Sequence, residues 1–312
     1  MQPTDIRNPD YFHKVVDCQW ACPAHTPVPE YIRLIAAGRY SDAYMVNWKS
    51  NVFPGILGRT CDRPCEPACR RGRVEEENQA RPEPVAICRL KRVAADYKGD
   101  DVAGRMPKPA ARKNGRRIAC VGAGPASLTV ARDLAPLGYQ VTVFDQDPRA
   151  GGMIWSQIPR FRLPLEVIDE EVGYILDMGV EFKGGVKIES MKKLMAEGYD
   201  AIFVGSGAPR GRDLDIPGRK EAAKNIRIGI DWLSSVSFGH TTSIGKRVIV
   251  LGGGNTAMDC CRTSRRIGGE DVKVIVRSGF EEMKASPWEK EDAQHEGIPI
   301  LNFLVPKAFL HT

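Results

Sequence analysis

The sequence lacks any run of about 18 apolar residues, so it predicts no membrane-spanning helix. Its first residues, MQPTDIRNPDYFHK, contain no apolar stretch of the kind that a secretory signal requires. Histidine is scarce, with five in 312 residues, and no Ser-His-Asp set or pair of acids stands out. We therefore expect a cytoplasmic chain without a catalytic acid–base side chain, in a compartment where thiols stay reduced or bind metal.

The positive charge of the chain is unevenly distributed. The net charge is +6, and residues 105–117 hold six basic residues, no acidic residue and no aromatic residue. A second basic group, Arg70, Arg71 and Arg73, follows the last of a series of cysteines. The absence of interleaved aromatic side chains argues against nucleic-acid binding. Two interpretations of these basic groups remain open: they are solvated surface residues, or they form a docking surface for an acidic redox partner.

Cysteine, in contrast, is plentiful near the N-terminus. Five of the nine cysteines precede residue 70: Cys18, Cys22, Cys61, Cys65 and Cys69. A spacing of four would align them on one face of a helix, but two prolines interrupt the second group and favour a loop wrapped around a site. An iron–sulfur cluster, a structural zinc ion and inert thiols all remain open. We favour iron–sulfur, because thiolates bind iron in such clusters and the CxxC spacing usual for zinc is missing.

Five candidate ligands for four positions leave one thiol unassigned. Cys88 is a sixth candidate or a core residue. The remaining cysteines, at 120, 260 and 261, are predicted to be core residues, because free cysteine packs as a small apolar side chain.

The chain divides into a helical part and an α/β part. Residues 1–100 read as a helical domain with helices at 29–37, 41–47 and 85–96, in which Ser41 can cap the second helix and NVFPGILGRTCDRPCEPACRRG is irregular. A basic linker follows at 101–115. Strands are then predicted at 117–121, 140–144, 201–205, 247–251 and 272–276, with helices at 125–135, 164–178 and 255–267. This alternation predicts α/β domains with parallel, doubly wound sheets.

The first α/β stretch contains a dinucleotide fingerprint. A predicted strand leads into the turn Gly122-Ala123-Gly124-Pro125-Ala126-Ser127, which opens a helix. Gly122 permits the tight turn, Gly124 lets a pyrophosphate approach the backbone, and Ser127 takes the third, small position. Asp145 ends the second strand, 23 residues after Gly122, where a carboxylate can bind a ribose hydroxyl. The phosphates would lie on the N-terminus of the helix.

A second fingerprint follows in the next α/β stretch, with the turn Gly252-Gly253-Gly254-Asn255-Thr256-Ala257. Gly252, Gly254 and Ala257 take the three roles of the motif. Arg277 stands where the first unit has its acid. An arginine there can pair with a 2′-phosphate, which favours NADPH slightly, or it can stack on an adenine or remain solvated.

A family resemblance rests on segments spread over nearly the whole chain. They are, in order, CQWACPAHTPVPEYI, NVFPGILGRTCDRPCEPACRRG, PVAICRLKRVAAD, VGAGPAS, GGMIWSQIPRFRLP, AIFVGSGA, LGGGNTAMDC and MKASPWEKEDAQHEGI. The chain resembles the small subunit of bacterial glutamate synthase and its relatives. These include the N-terminal part of dihydropyrimidine dehydrogenase and the large subunit of the ferredoxin-linked NADH/NADPH transhydrogenase.

The resemblance implies Rossmann-type FAD and NAD(P) domains preceded by a helical iron–sulfur domain. Residues 116–210 would form the first part of the FAD domain, and residues 211–312 would form the NAD(P)H domain. Gly151, Gly152 and Gly207 would lie near the flavin. Cys22, Cys61 and Cys65 would be the firmest cluster ligands, and either Cys18 or Cys69 would complete the set.

Two departures from the family are expected. Relatives with two clusters carry an additional CxxC shortly before the position of Cys18, and this chain has none there. We therefore expect one [4Fe–4S] cluster. A segment that returns to close over the flavin is expected after the NAD(P) domain, and it is absent after ILNFLV.

These patterns predict an NAD(P)H oxidoreductase subunit. It would pass electrons from NAD(P)H through FAD to the cluster and on to a partner enzyme or ferredoxin, or in the reverse direction. A hetero-oligomeric complex with a redox partner is expected. The alternative is a structural or assembly subunit of a redox complex with weak or no flavin turnover.

Overall fold

The computed structural model describes residues 16–73 and 82–310, which form two compact units. The N-terminal unit contains the chain up to Asn114 together with Arg132–Gly138 and Arg162–Val180. The second unit contains Gly115–Ala131, Tyr139–Phe161 and the chain from Glu181 onwards. The stretch MQPTDIRNPDYFHK lies outside the described residues. Among the helices of the described residues, none has both the length and the apolar character needed to span a bilayer.

The helices begin and end as follows. They are α1 (Asp17–Ala21), α2 (Val28–Ala36), α3 (Tyr40–Asn51), α4 (Pro54–Thr60), α5 (Ile87–Asp96), α6 (Asp101–Arg105), α7 (Pro125–Leu134), α8 (Met153–Ser156), α9 (Leu165–Leu176), α10 (Met191–Ala196), α11 (Gly229–Ser237), α12 (Asn255–Arg266) and α13 (Pro287–His295). Short 3₁₀ helices occupy Arg70–Arg73, Ala135–Leu137 and Ala223–Asn225. Proline lies in the first turn of α2, α4 and α13, where a missing backbone N–H leaves no hydrogen bond unmade.

The strands form two separate parallel sheets in the second unit. They are β1 (Arg117–Val121), β2 (Gln140–Phe144), β3 (Glu181–Lys183), β4 (Ala201–Val204), β5 (Arg247–Leu251), β6 (Asp271–Ile275) and β7 (Ile300–Leu301). The first sheet has the order β3-β2-β1-β4 and the second has the order β5-β6-β7. Cys120 in the middle of β1 lies between Val143 and Phe203 and is fully buried, as a core residue would be. The predicted parallel α/β architecture is therefore confirmed.

The core of the N-terminal unit is built around aromatic and cysteine side chains. Val28, Tyr31, Ala43, Cys65, Cys69, Ile87 and Ala94 form one buried cluster. The Tyr31 hydroxyl donates a hydrogen bond to the backbone oxygen of Ile87 at 3.0 Å, which satisfies the one polar atom of this buried ring. Two of the clustered cysteines thus belong to the core of this unit.

Two local predictions were wrong. The segment NVFPGILGRTCDRPCEPACRRG is not irregular throughout, because α4 occupies residues 54–60. Its glycines hide the helix from a propensity argument, yet one of them is required for packing: a Cβ on Gly58 would lie 2.8 Å from the backbone of Arg92. Ser41 does not cap α3, because the N-cap is Arg39; instead Ser41 Oγ donates to Asp101 Oδ1 at 2.7 Å.

Candidate cofactor sites

The five predicted cluster cysteines all lie in the N-terminal unit. Cys18 is on α1, Cys22 ends α1, and Cys61 ends α4. Cys65 and Cys69 are buried in the loop that follows, while Cys18, Cys22 and Cys61 are partly buried. All are free thiols in the structure, as are Cys88 and the three cysteines predicted to be core residues.

Several of these thiols interact with one another. Hydrogen bonding with Cys88 lowers the pKa of the Cys61 thiol to about 6, while the same contact, together with burial, raises the pKa of the Cys88 thiol. Burial raises the pKa of Cys65 to about 12, with neighbouring charges at Cys61 and Cys22 adding to the increase. Burial also raises the pKa of Cys18, and Cys69 contributes. These interactions link Cys88, Cys61, Cys65 and Cys22 in a group around Cys61, and they link Cys18 with Cys69.

The donor set is suited to an iron–sulfur cluster in its chemistry. Among the described residues, no three His, Cys, Asp or Glu side chains surround a single metal-ion position. The sulfur atoms nevertheless lie near the Tyr31 hydroxyl: burial raises the pKa of this hydroxyl, and the charges of Cys65, Cys88, Cys18 and Cys22 add to the increase. Grouped thiols in a low-dielectric interior are the ligands that such clusters use. Cys88 also lies close enough to Cys61 to be a ligand.

The first glycine turn follows the carboxyl end of β1. Gly122 has φ of +94°, and a Cβ there would lie 2.5 Å from the backbone oxygen of Gly205, so the position requires glycine. A Cβ on Gly124 would meet nothing within 4 Å, which leaves open space beside the N-terminus of α7. A phosphate group suits that space, because free N–H groups face it. Ser127 is fully buried, and a Cβ on Gly205 would lie 2.3 Å from its hydroxyl, so only small residues fit where α7 meets β4.

Asp145 lies beside this turn, at the end of β2. One of its carboxylate oxygens accepts the N–H of Ala123 at 2.5 Å, and the other accepts the N–H of Asp147 at 2.9 Å. The carboxylate thus shapes the glycine turn. It keeps further lone pairs with which a ribose hydroxyl could bond.

The glycine pair at 151 and 152 also reaches the first turn. The N–H of Gly151 donates to the backbone oxygen of Ala123 at 2.8 Å. Gly152 has φ of +55°, and a Cβ there would lie 2.8 Å from Cα of Gly124. Gly207, after β4, is exposed with φ of +65° and open space around it. The structure therefore brings 151 and 152 to the turn, whereas it shows no contact of this kind between Gly207 and any other described residue.

The second glycine turn follows β5 and has the same form. Gly252 has φ of +132°, and its N–H donates to the backbone oxygen of Ile275 at 3.0 Å. A Cβ on Gly254 would again meet nothing within 4 Å. Ala257 is buried in the first turn of α12, whereas Thr256 beside it is exposed. Arg277 is exposed just beyond β6, the strand that pairs with β5.

One feature of this turn was missed by the motif analysis. Asn255 opens α12, and its side chain bonds to Ser286 in the segment before α13. The N–H of Ala285 donates to the backbone oxygen of Gly253 at 2.9 Å. The segment MKASPWEKE carried the family resemblance, but no spacing or periodicity places it against residues 253–255, which lie some 30 positions earlier.

Comparisons with known proteins match both parts of the chain. Residues 116–307 match the family model described as pyridine nucleotide-disulphide oxidoreductase. The chain belongs to this family. Residues 12–102 match a second model, described as dihydropyrimidine dehydrogenase domain II, 4Fe–4S cluster. The chain thus combines an N-terminal domain of a 4Fe–4S family with a domain of the pyridine nucleotide-disulphide oxidoreductase family. The expected cofactors, FAD, NAD(P)H and a 4Fe–4S cluster, are confirmed at the level of these families.

Three relatives match most of this chain. The chain is 35% identical to the NADPH-Fe(3+) oxidoreductase subunit beta of Geobacter sulfurreducens over 95% of its own length and 44% of that protein. It is 36% identical to the NADP(+)-dependent formate dehydrogenase subunit beta of Moorella thermoacetica, over 92% and 43% of the two chains. It is 33% identical to the NADPH glutamate synthase small chain of Azospirillum brasilense, over 94% and 62%. The predicted resemblance is confirmed, and the chain spans less than half of the first two relatives.

Two solved structures share the fold. FprA from Mycobacterium tuberculosis matches with a TM-score of 0.51 at 17% identity, covering 63% of this chain and 61% of FprA. A 2-naphthoyl-CoA reductase matches with a TM-score of 0.54 at 17% identity, covering 89% of this chain and 41% of the reductase. These two likenesses confirm the α/β fold predicted for this chain.

Proposed function

We propose that this chain is an NAD(P)H-dependent electron-transfer subunit, which exchanges electrons between NAD(P)H, FAD and one 4Fe–4S cluster and delivers them to a partner enzyme or ferredoxin. Transfer in the reverse direction uses the same sites. One observation carries the proposal: both glycine turns leave open space at their middle glycine, in a chain whose other unit groups at least four thiols. The bound nucleotides would supply hydride transfer and the cluster would supply one-electron transfer.

The first glycine turn is the proposed FAD site. Gly122, Gly124, Pro125, Ala126 and Ser127 would hold the pyrophosphate at the N-terminus of α7. Asp145 keeps the turn in place through Ala123 and would accept a ribose hydroxyl. Gly151 and Gly152 contact this turn at Ala123 and Gly124. Gly207 is proposed to lie near the flavin because of the family resemblance.

The second glycine turn is the proposed NAD(P)H site. Gly252, Gly254, Asn255, Thr256 and Ala257 would hold the pyrophosphate at the N-terminus of α12. Arg277 lies beyond the neighbouring strand β6, where the ribose of a dinucleotide is expected. A guanidinium there favours the 2′-phosphate of NADPH over the hydroxyl of NADH.

The proposed cluster ligands are the five cysteines of the N-terminal unit. Cys22, Cys61 and Cys65 are in the group around Cys61 and are retained as ligands. Cys18 or Cys69 would supply the fourth thiolate, and Cys88 competes for that position through its contact with Cys61. Cytoplasmic reducing conditions would keep these thiols available for iron.

The names of the relatives support a place in a complex. Two of them are named as beta subunits and one as a small chain. We propose a partner subunit or ferredoxin that exchanges single electrons with the cluster of this chain. Basic side chains beside the cysteines, at 70, 71 and 73, would favour an acidic surface on that partner.

An anaerobic titration tests the proposal. Protein reconstituted with FAD, iron and sulfide is titrated in parallel with NADPH and NADH while visible absorption is followed. Bleaching of the flavin band together with loss of the broad iron–sulfur band is expected, at lower NADPH than NADH concentration. A protein that binds neither flavin nor iron would instead support a structural or assembly subunit.

A cysteine variant separates the two halves of the path. Cys22→Ala should leave the flavin band responsive to NADPH but abolish electron transfer to a one-electron acceptor. Cys120→Ala is the matched control, because Cys120 is buried in β1 of the second unit, and it should leave both responses intact. Full iron content and full electron transfer in Cys22→Ala would remove Cys22 from the ligand set.

A further inference from the structure

Lys91 is a buried lysine beside the cysteines of the N-terminal unit. Only 4% of its surface is exposed, although lysine is almost never buried unless a charge compensates it. It lies on α5 three residues after Cys88, so the two side chains share a face of the helix. Removing an ammonium group from water is costly unless an anion lies close by.

No carboxylate compensates this charge in the described part of the chain. Among residues 16–73 and 82–310, no ion pair or hydrogen bond of the Lys91 ammonium is found. Glu66, which follows Cys65, accepts the N–H of Cys88 at 2.9 Å and lies 3.9 Å from Arg63. Asp96, at the end of α5, is bound by Arg59 and Arg92. Glu66 and Asp96 are thus paired with groups other than Lys91.

Three thiols lie near Lys91. The Lys91 charge is within electrostatic range of the thiols of Cys61, Cys65 and Cys88. Packing accounts for this arrangement. The absence of a side chain at Gly58 lets α4 approach the backbone of α5, which brings the end of α4 at Cys61 to the face that carries Lys91.

We propose that Lys91 is the buried counter-charge of the iron–sulfur cluster and that it raises the reduction potential of the cluster. This inference rests on the proposed function, in which the cysteines hold a cluster. A thiolate-ligated cluster is anionic, and reduction adds one electron to it without making or breaking a bond and without moving a proton. A buried cation stabilises the more negative, reduced form more strongly, because the charges are weakly screened there. Lys91 is thus a positioning residue that acts through charge and not through ligation.

The test compares the midpoint potential of the cluster in three variants. Lys91→Met removes the charge and keeps the apolar stem, whereas Lys91→Arg keeps the charge. Arg89→Met is the matched control, because Arg89 is an exposed cation on the same helix. Potentials are measured by redox titration of the reconstituted protein with electron paramagnetic resonance detection, and iron content is measured alongside.

Lys91→Met should make reduction of the cluster at least tenfold less favourable, which is a decrease of about 59 mV for a one-electron couple. Lys91→Arg and Arg89→Met should stay close to the wild type. An unchanged potential in Lys91→Met would overturn the inference, because it would show that the charge of Lys91 does not influence the cluster. If Lys91→Met does not assemble a cluster, retention of cluster and potential in Lys91→Arg supports the inference, and loss in both variants overturns it.

The outcome is separable from that of the proposed function. A wild-type protein that assembles no cluster, or whose cluster is not reduced when NAD(P)H is added, contradicts the proposed function itself. A wild-type cluster that is reduced normally, with the same potential in Lys91→Met, contradicts the role of Lys91 alone.

Discussion

Asn255 and Ser286 are joined by two hydrogen bonds that tie the second glycine turn to the segment before α13. The side-chain oxygen of Asn255 accepts the N–H of Ser286 at 2.8 Å, and its amide nitrogen donates to the Ser286 hydroxyl at 3.3 Å. Asn255 is the first residue of α12, directly after the open space at Gly254. Its side chain therefore orients the helix N-terminus that would receive a pyrophosphate.

Loss of this link should weaken nucleotide binding. We expect Asn255→Ala to raise the Kd for NAD(P)H about tenfold, equal to about 1.4 kcal/mol, which is the size of a lost buried hydrogen bond. Ser286→Ala is the milder comparison, because the backbone N–H of residue 286 still reaches Asn255. Fluorescence titration gives both constants. Equal affinity in Asn255→Ala and the wild type would show that the turn does not need this support.

Alanine at the two middle glycines should distinguish the two nucleotide sites. A Cβ at Gly124 or Gly254 enters open space, so neither substitution should lower the stability of the fold. Each Cβ would occupy the space proposed for a pyrophosphate. Gly124→Ala should lose flavin and keep NAD(P)H binding, and Gly254→Ala should show the opposite, as measured by flavin content and nucleotide titration. Loss of flavin in Gly254→Ala with retention in Gly124→Ala would reverse the assignment.

Gly58 should be intolerant of any side chain. A Cβ there would lie 2.8 Å from both Cα and N of Arg92, and backbone atoms cannot move aside cheaply. Gly58→Ala should therefore lower the free energy of unfolding by about 1 to 3 kcal/mol, as overpacking does. Chemical denaturation measures the change.

Gly173 is the matched control for this prediction. It lies inside α9, and a Cβ there meets nothing within 4 Å. Gly173→Ala should raise the free energy of unfolding by about 0.5 to 1 kcal/mol, because alanine favours a helix over glycine. A destabilised Gly173→Ala beside an unchanged Gly58→Ala would contradict the packing described for α4 and α5.

Arg262 should be needed for stability of the second unit. Its guanidinium is buried on α12 and lies within 3.1 Å of Glu289, 3.1 Å of Asp292 and 2.9 Å of Glu296, all on or at the end of α13. Arg262→Met leaves the buried carboxylate of Glu289 without this cation and should cost about 3 to 5 kcal/mol. The double variant Arg262→Met/Glu289→Gln should recover part of that loss. Chemical denaturation measures the free energy of unfolding of both variants. An equal loss in Arg262→Met and in the double variant would contradict the ion-pair explanation.

Glu171 should make stability depend on pH. Burial raises the pKa of this carboxyl to about 7, against hydrogen bonds from the N–H groups of Gly55 and Ile56 and from the Tyr44 hydroxyl. The folded state therefore favours the protonated acid. The stabilisation of the folded state by protonated Glu171 is fully present below about pH 4.5 and is lost as the pH rises through about 7.

The stability profile tests this sign. Between about pH 5.5 and pH 8 the wild type should lose on the order of 2 kcal/mol through Glu171, since one pKa unit corresponds to about 1.4 kcal/mol. Glu171→Gln cannot titrate and should remove that slope, whatever its effect on absolute stability. Urea denaturation at several pH values measures both. An unaltered slope in Glu171→Gln would place the titrating group elsewhere.

Sequence patterns predicted the second unit better than the N-terminal unit. The bounds of β1, β2 and β5 are reproduced by the structure, as is the start of α12. Alternating apolar runs and glycine turns are local signals, and local signals decide such elements. α4 was missed because its glycines lower helix propensity, and that cost is outweighed only when α5 packs against it. The domain bounds predicted at 100, 115 and 210 stay predictions, although Arg162–Val180 groups with the N-terminal unit.

The sequence by itself determined the two kinds of site and their order along the chain. Turn chemistry and strand–helix alternation depend on neighbouring residues, so the glycine turns could be located from spacing alone. Only the tertiary structure decided which side chains meet: Asn255 with Ser286, Glu171 with Gly55, and Lys91 with the thiols around Cys61. Such contacts depend on how closely helices pack, which a single Cβ can change and which no local pattern records.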